Sequence, residues 1–363
     1  MNNKKLIFID KVVGLILLPL SLVFRAIGIL RRRYQEPQSQ KILLIKFLGA
    51  GNLISIDSVL NHHSVDLITA RSNKNTAAQF LPNAEVFFLN DGNIISLGFD
   101  VLGVFYRLIF KDYACVINLE TESYFAKFLT AVSNSKKYCG ISNTHKGLFD
   151  SWLYDFYLVN PVLLSKAQVL SLLLDYREVV NDNQDALIQL HQARLLQSAP
   201  LAKDHLHQVV IAPTCSSTDV LRRVSIENWR QLIAQLPIHA NIKAIFPNQD
   251  DAQYLAFKKL ELDFPNLKVV FTDFLTFVSL IEQSDLVLCI DSQALHVAQD
   301  ALKPTIALYG PTSPFGVNLG PNTYPITKSL ACSPCTHKYF KLPCNGRATC
   351  MHFSASDLNI QFI

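Results

Sequence analysis

Short aliphatic runs recur along the chain, each closed by a turn and followed by a stretch of helical character. This alternation limits the fold more than any other feature. Residues 41–46, 65–69, 86–89 and 114–119 form a first series of expected strands. Residues 209–211, 242–246, 268–271, 286–290 and 305–308 form a second. Aliphatic runs without polar alternation suit strands buried on both faces, and strands alternating with helices build parallel sheets. At 363 residues the chain exceeds one ordinary domain. The expected organisation is a helix within residues 1–34, a first α/β domain over 41–185 and a second over 205–363. Residues 34–40 are polar with a proline and read as a linker; residues 181–208 carry a helix into the interdomain linker. Ligands of such sheets bind beyond the C-terminal ends of the strands, so the turns after strands are where function is sought.

Composition narrows the partners. Half of the residues are hydrophobic, 17% are charged and the formal net charge is +4. A mild positive charge suits an anionic ligand or an anionic membrane surface. There is no basic run with interleaved aromatics and no zinc-finger spacing, so no nucleic-acid partner is expected.

The N-terminus is apolar over residues 12–24, with Arg25 and then Arg31, Arg32 and Arg33 following. The run is short for a bilayer-spanning helix, which needs about 20 apolar residues. Lys11, Gly14, Ser21, Arg25, Gly28 and Arg32 fall on one narrow helical stripe. That pattern suits a helix lying in the membrane interface with its arginines near anionic headgroups. A true span and an ordinary core helix are the other readings. A span with arginines on its C-terminal side would leave the rest of the chain in the cytoplasm, so both membrane readings give the cytoplasmic face of the inner (plasma) membrane.

Three loops carry candidate chemistry. Lys46 to Asn52 follows the first strand, and Gly49 and Gly51 let backbone approach a ligand beside the next helix N-terminus. A plain tight turn fits equally. The dinucleotide pattern Gly-x-Gly-x-x-Gly is absent, which argues against a nicotinamide-dependent dehydrogenase. Residues 213–218, with Thr214 and Ser216, precede Arg222 and Arg223; hydroxyls and an arginine suit phosphate oxygens, and capped surface loop is the alternative. Residues 286–298 read as a strand ending in Asp291-Ser292, then a helix opening with Gln293 and Ala294 and carrying His296. Free N–H groups at that helix start face the sheet edge.

Together these segments resemble glycosyltransferase family 9, the lipopolysaccharide heptosyltransferases. Members carry a Lys-x-x-x-x-Gly-Asp loop after the first strand, a phosphate loop with a basic residue, and an Asp-Thr-Gly-x-x-His stretch followed by Gly-Pro-Thr-x-Pro. Here the last block reads Asp291-Ser292-Gln293-Ala294-Leu295-His296, then Gly310-Pro311-Thr312-Ser313-Pro314. The resemblance runs over roughly residues 41–352. It implies a GT-B fold, two Rossmann-like domains facing a cleft, and inverting transfer that needs no metal. The implied donor is a nucleotide sugar, ADP-heptose in the best-known members, and the acceptor a lipid-linked glycan such as lipopolysaccharide core. Thr214, Ser216, Arg222 and the backbone of Ser292, Gln293 and Ala294 would hold the diphosphate beside Asp291 and His296. Asp250 or Asp251 would meet the ribose.

The chain departs from that pattern at three places, one of them a phosphate loop that is longer here. Asn52 stands where the family has the loop aspartate expected to act as base, and an amide takes no proton at neutral pH. Gln293 replaces a glycine beside the nucleotide. Glu120, closing the strand before it, is the carboxylate expected to deprotonate the acceptor, with Glu122 second. The competing function is a catalytically silent nucleotide-binding or scaffolding protein of envelope glycan assembly, which Asn52 and Gln293 favour.

Of eight cysteines, Cys115, Cys139, Cys215 and Cys289 are scattered in apolar surroundings and read as inert buried thiols. Cys332, Cys335, Cys344 and Cys350 cluster. In a cytoplasmic chain such spacing suits a structural zinc or an iron–sulfur cluster, against reduced thiols or disulfides.

Overall fold

The computed structural model describes residues 3–34, 39–60, 63–121, 123–142, 148–159, 166–175, 203–215, 220–314, 322–328, 330, 332–335, 344–354 and 356–358. Ser216 and Glu122, named above, lie outside them. The chain divides into two compact units, Met1–Val179 and Val180–Ile363.

The first unit opens with α1 (Asn3–Tyr34). Six strands follow: β1 (Ile42–Ile45), β2 (Val65–Ala70), β3 (Glu85–Leu89), β4 (Asp112–Asn118), β5 (Asn134–Ser142) and β6 (Phe156–Val159). They form one parallel sheet in the order β3-β2-β1-β4-β5-β6. The helices between them are α2 (Ala50–Leu60), α3 (Lys74–Phe80), α4 (Ile94–Phe110), α5 (Tyr124–Val132) and α6 (Leu148–Leu153), and α7 (Lys166–Asp175) follows β6. Every residue of β1 and β2 is buried; β1 is wholly aliphatic, as burial on both faces requires, and β2 also buries Asp66 and Thr69. Asn93 and Ser123 cap α4 and α5 through their side-chain oxygens, so both helices start where a polar residue can take the free N–H groups.

The second unit repeats the plan with β7 (Gln208–Ala212), β8 (Asn241–Phe246), β9 (Leu267–Phe271), β10 (Leu286–Ile290), β11 (Thr305–Tyr309) and β12 (Thr323–Thr327). Its parallel sheet runs β12-β11-β10-β7-β8-β9. The helices are α8 (Ile226–Ile233), α9 (Tyr254–Asp263), α10 (Phe274–Glu282) and α11 (Gln293–Asp300). Trp229 of α8 is fully buried against Phe257 of α9, and Ser225 caps α8 as its position predicts. The expected α/β architecture with two parallel sheets is therefore present. In each sheet the strand order reverses once, between β1 and β4 and between β7 and β10. Such switch points open a crevice at the strands' C-terminal ends, because the flanking crossovers leave in opposite directions.

The N-terminal helix corrects an expectation. The polar stripe of α1 faces the protein, not headgroups. Gly14 lets the helix close onto the Tyr124 backbone and Cβ at the start of α5. The Asp10 carboxylate accepts from Ser123 Oγ (2.7 Å) and the Phe125 N–H (3.1 Å). Arg25 is 2% exposed; its Nη2 lies 2.7 Å from Asp155 Oδ1 and its guanidinium sits 4.0 Å above the Tyr138 ring. Arg32 reaches the same Asp155 (3.2 Å) and donates to the Lys136 carbonyl (2.7 Å). The helix is thus part of the first unit. Among the described residues no helix is long and apolar enough to cross a membrane.

Candidate functional site

Each switch point gathers a set of charged side chains. In the first unit, Lys46 follows β1 and Glu120 follows β4, the two strands paired there. Glu120 Oε1 accepts from Lys46 Nζ (2.7 Å), from the Phe47 N–H (2.8 Å) and from the Leu48 N–H (3.3 Å). The Glu120 N–H in turn donates to Asn118 Oδ1 (2.9 Å), and Asn118 Nδ2 donates to the Tyr154 hydroxyl (2.8 Å). Both the carboxylate and the chain that carries it are therefore held. Burial alone would raise the Glu120 pKa, but the Lys46 charge and the bonds from Lys46, Phe47 and Leu48 outweigh it and hold the carboxyl below its usual range. Glu120 is ionised at neutral pH.

The turn between β1 and α2 depends on Gly49, whose φ of +94° a side chain rarely adopts. That turn sets Asn52 on the first turn of α2, with its side chain close beside Gly49. Lys166, the first residue of α7, joins this group within electrostatic range of Lys46 and Glu120. Burial, then repulsion from Lys46, lowers its ammonium to about 8, against the pull of Glu120. Sequence reasoning missed Lys166, which lies more than forty residues beyond Glu120 and belongs to no loop motif.

In the second unit, Asp291 follows β10 directly and is largely buried. Arg222, in the segment after β7, donates from Nη1 to the Asp291 carbonyl (3.1 Å) and lies 3.4 Å from Asp291 Oδ2. Ser292 is the N-cap of α11, but its side chain makes no cap bond. His296 sits one turn into α11. Burial, opposed by Asp291 and assisted by Arg222, lowers its pKa, so the imidazole is neutral at neutral pH. Among the described residues its Nδ1 is buried without a hydrogen-bond partner, as are the Tyr309 hydroxyl at the end of β11 and Thr312 Oγ1 in the following turn. Buried polar atoms are almost always paired, so unsatisfied ones beside an arginine and a helix N-terminus mark a place built for a ligand. Gly310 has no room for a Cβ because Met351 and Cys350 pack against it, which fixes the turn bearing Thr312.

The remaining expected residues fall as follows. Thr214 is half-buried in the loop after β7, and Gln293 and Ala294 open α11. Asp251 is committed to Arg223 by two bonds (2.9 and 3.3 Å), so it is an anchor for Arg223. Asp250 is exposed beyond β8. The expected metal centre finds no support: among the described residues no group of three or more His, Cys, Asp or Glu is placed to hold a metal ion. Among the described residues, Cys332, Cys335, Cys344 and Cys350 form no disulfide. They also differ from one another. Backbone N–H groups of Ala348, Gly346 and Arg347 lower the Cys344 thiol, whereas burial pushes Cys350 up to about 11.

Comparison with known proteins agrees with this architecture. The chain is similar in structure to the E. coli heptosyltransferase WaaC with ADP-2-deoxy-2-fluoro heptose, at TM-score 0.58 and 15% identity, over 88% of this chain and 97% of that one. It is similar to a family 9 glycosyl transferase from Veillonella parvula DSM 2008, at 0.57 and 14%, over 80% and 86%. It is also similar to the E. coli ADP-heptose lps heptosyltransferase II, at 0.54 and 14%, over 79% and 90%. At such identities these likenesses establish the GT-B fold. A search of curated protein sequences gives no match. The sequence model described as glycosyltransferase family 9 (heptosyltransferase) matches residues 102–345, more than half of the 363-residue chain. The chain is a glycosyltransferase and belongs to glycosyltransferase family 9.

Proposed function

We propose that the protein transfers a heptose-like sugar from a nucleotide-activated donor to a hydroxyl of a lipid-linked glycan such as lipopolysaccharide core. The transfer inverts the anomeric centre and uses no catalytic metal. The donor binds the second unit at the β7–β10 switch point, and the acceptor binds the first unit at the β1–β4 switch point. The reaction takes place at the cytoplasmic face of the inner (plasma) membrane.

The observation that carries this reading is the group of Arg222, Asp291 and His296 with the unsatisfied His296 Nδ1, Tyr309 hydroxyl and Thr312 Oγ1. Arg222 and the N-terminus of α11 offset the charge of the departing diphosphate. Thr214, Ser216 and the backbone from Ser292 to Ala294 add donors to it, and Asp250 meets the ribose. In the transfer, the bond from the anomeric carbon to the diphosphate oxygen breaks as a bond to the acceptor oxygen forms. The acceptor proton passes to Glu120. A carboxylate of low basicity suffices, because the hydroxyl becomes strongly acidic as its oxygen bonds to the anomeric carbon.

Thermal-shift screening of nucleotide sugars tests the donor site. ADP-heptose or a close analogue should raise Tm, and Arg222→Ala and His296→Ala should each remove most of the rise. Failure of every nucleotide sugar to shift Tm or be turned over would overturn the reading.

Asn52 favours a second reading, a silent member that binds nucleotide without transferring sugar. Donor binding without transfer to any lipid-linked glycan extract would decide for it.

A further inference from the structure

In the first unit, the exposed large hydrophobic side chains among the described residues all lie on two helices, α1 and α4. On α1 they run along the side opposite its docked polar stripe: Val12, Ile16, Leu20, Val23, Ile27 and Leu30. Their spacing of three and four residues makes one continuous helical face. Ile16 is 70% exposed, although it belongs to an aliphatic run. On α4 the corresponding row is Ile95, Phe99, Leu102, Tyr106 and Phe110, with Phe99 71% and Phe110 72% exposed. The two helices touch: the Phe24 and Phe105 rings meet edge to face at 5.6 Å, and Ile27 and Ile109 line a shared groove with Arg31.

Soluble monomers rarely leave so many large apolar side chains together in water. Among the described residues, the exposed charges on the two helices themselves are cations. The acids within the two helices are Asp10 and Asp100. Asp10 is held by Ser123 and the Phe125 amide, and Asp100 by Arg71 and the Asn90 amide. The exposed cations are Arg31 and Arg107, and Arg107 lies 3.5 Å from the exposed Glu85 of β3. An apolar face with aromatic rings and exposed arginines complements the acyl boundary of an anionic bilayer.

We propose that the outer faces of α1 and α4 form one membrane-docking surface that seats the first unit on an anionic phospholipid bilayer. Helix α1 lies along the membrane with its polar stripe locked to the protein. Helix α4 is the second contact and inserts Phe99, Tyr106 and Phe110 among the lipid chains. The inference rests on the membrane location proposed above and is independent of the sugar transferred.

Flotation of the full chain with vesicles that carry no glycan tests docking apart from catalysis. The protein should float with phosphatidylethanolamine–phosphatidylglycerol vesicles and much less with phosphatidylcholine alone. The triple variant Phe99→Gln, Tyr106→Gln, Phe110→Gln removes side chains that face solvent, so its melting should stay near wild type. Its partitioning should fall about tenfold or more, since the three side chains supply most of the apolar area that α4 can insert. In a Phe110→Trp variant, the new indole should be quenched by bromine-labelled acyl chains. Wild-type binding by the triple variant, or no quenching of the indole, would overturn the role of α4. A wild-type chain that ignores vesicles and forms a dimer broken by the triple variant would overturn the proposal in favour of an interface between copies.

Discussion

Glu120 and Lys166 sit in the same crevice, and both are shifted downward, which favours the charged form of the carboxyl and disfavours that of the ammonium. Glu120 is held below its usual range although burial opposes ionisation, because Lys46 and two backbone amides donate to it. Glu120→Gln keeps the shape and loses the charge. It should lower transfer about a hundredfold or more, the scale of a lost proton acceptor, while the donor-induced Tm rise survives. Wild-type turnover in that variant would remove Glu120 from the reaction. Lys166 is the reverse case. Its folded-state pKa of about 8 lies below the ordinary 10.5, so the unfolded chain holds more protons between those values. Stability of the wild type therefore rises as pH climbs through that window. Lys166→Met should be more stable than wild type below pH 8, by about 1–2 kcal/mol in denaturant melts, with the advantage shrinking toward pH 10.5. An advantage independent of pH would show that the ammonium is not strained by burial. Motif reading finds Lys46 and Glu120, because both follow strands. It has no means of finding Lys166, because only tertiary packing of α7 brings that residue to them.

At the level of elements, the strands buried on both faces were legible as aliphatic runs, and β10 lies within the bounds its sequence suggests. Strand β5 was not, since Asn134 to Lys137 open it with polar residues and its apolar part is short. β12 was hidden by Pro325, which an edge strand paired on one side tolerates. Helix α1 was found, yet its faces were reversed. An amphipathic pattern tells which residues share a side but not which side meets protein, and here Asp155 and Tyr138 recruit the arginines inward. Two variants probe that docking. Arg25→Ala leaves Asp155 without its shortest partner and should cost about 3 kcal/mol in chemical denaturation. Gly14→Leu puts a side chain where the α5 backbone already lies, and should speed amide exchange along α1 relative to the sheet. Unchanged exchange there would mean that α1 is not held by this contact.

For the whole molecule, the two α/β series and the second-unit block from Asp291 to Pro314 were readable because ligand loops follow strands at fixed places. The four C-terminal cysteines do fall within electrostatic range of one another, as their clustering suggests, but among the described residues they form no group placed to hold a metal ion. In the proposed function, two units with separate switch points divide the work between donor and acceptor. ADP added to the full chain should slow amide exchange in α11 and the residues between β7 and α8, and leave the β1 and β4 turns unchanged. Protection confined to the first unit would reverse the assignment of donor and acceptor.

The outward residues of α1 carry one more consequence, and it concerns sequence drift. Val12, Ile16, Leu20 and Val23 face away from the packed body, so folding alone does not hold them apolar. Left to the demands of the fold, these codons would wander toward Lys, Glu and Gln within a helix that stays docked. A descendant of this chain released from lipid work should therefore betray itself there first, by a polar coat over an unchanged inner stripe of Gly14, Ser21, Arg25 and Gly28.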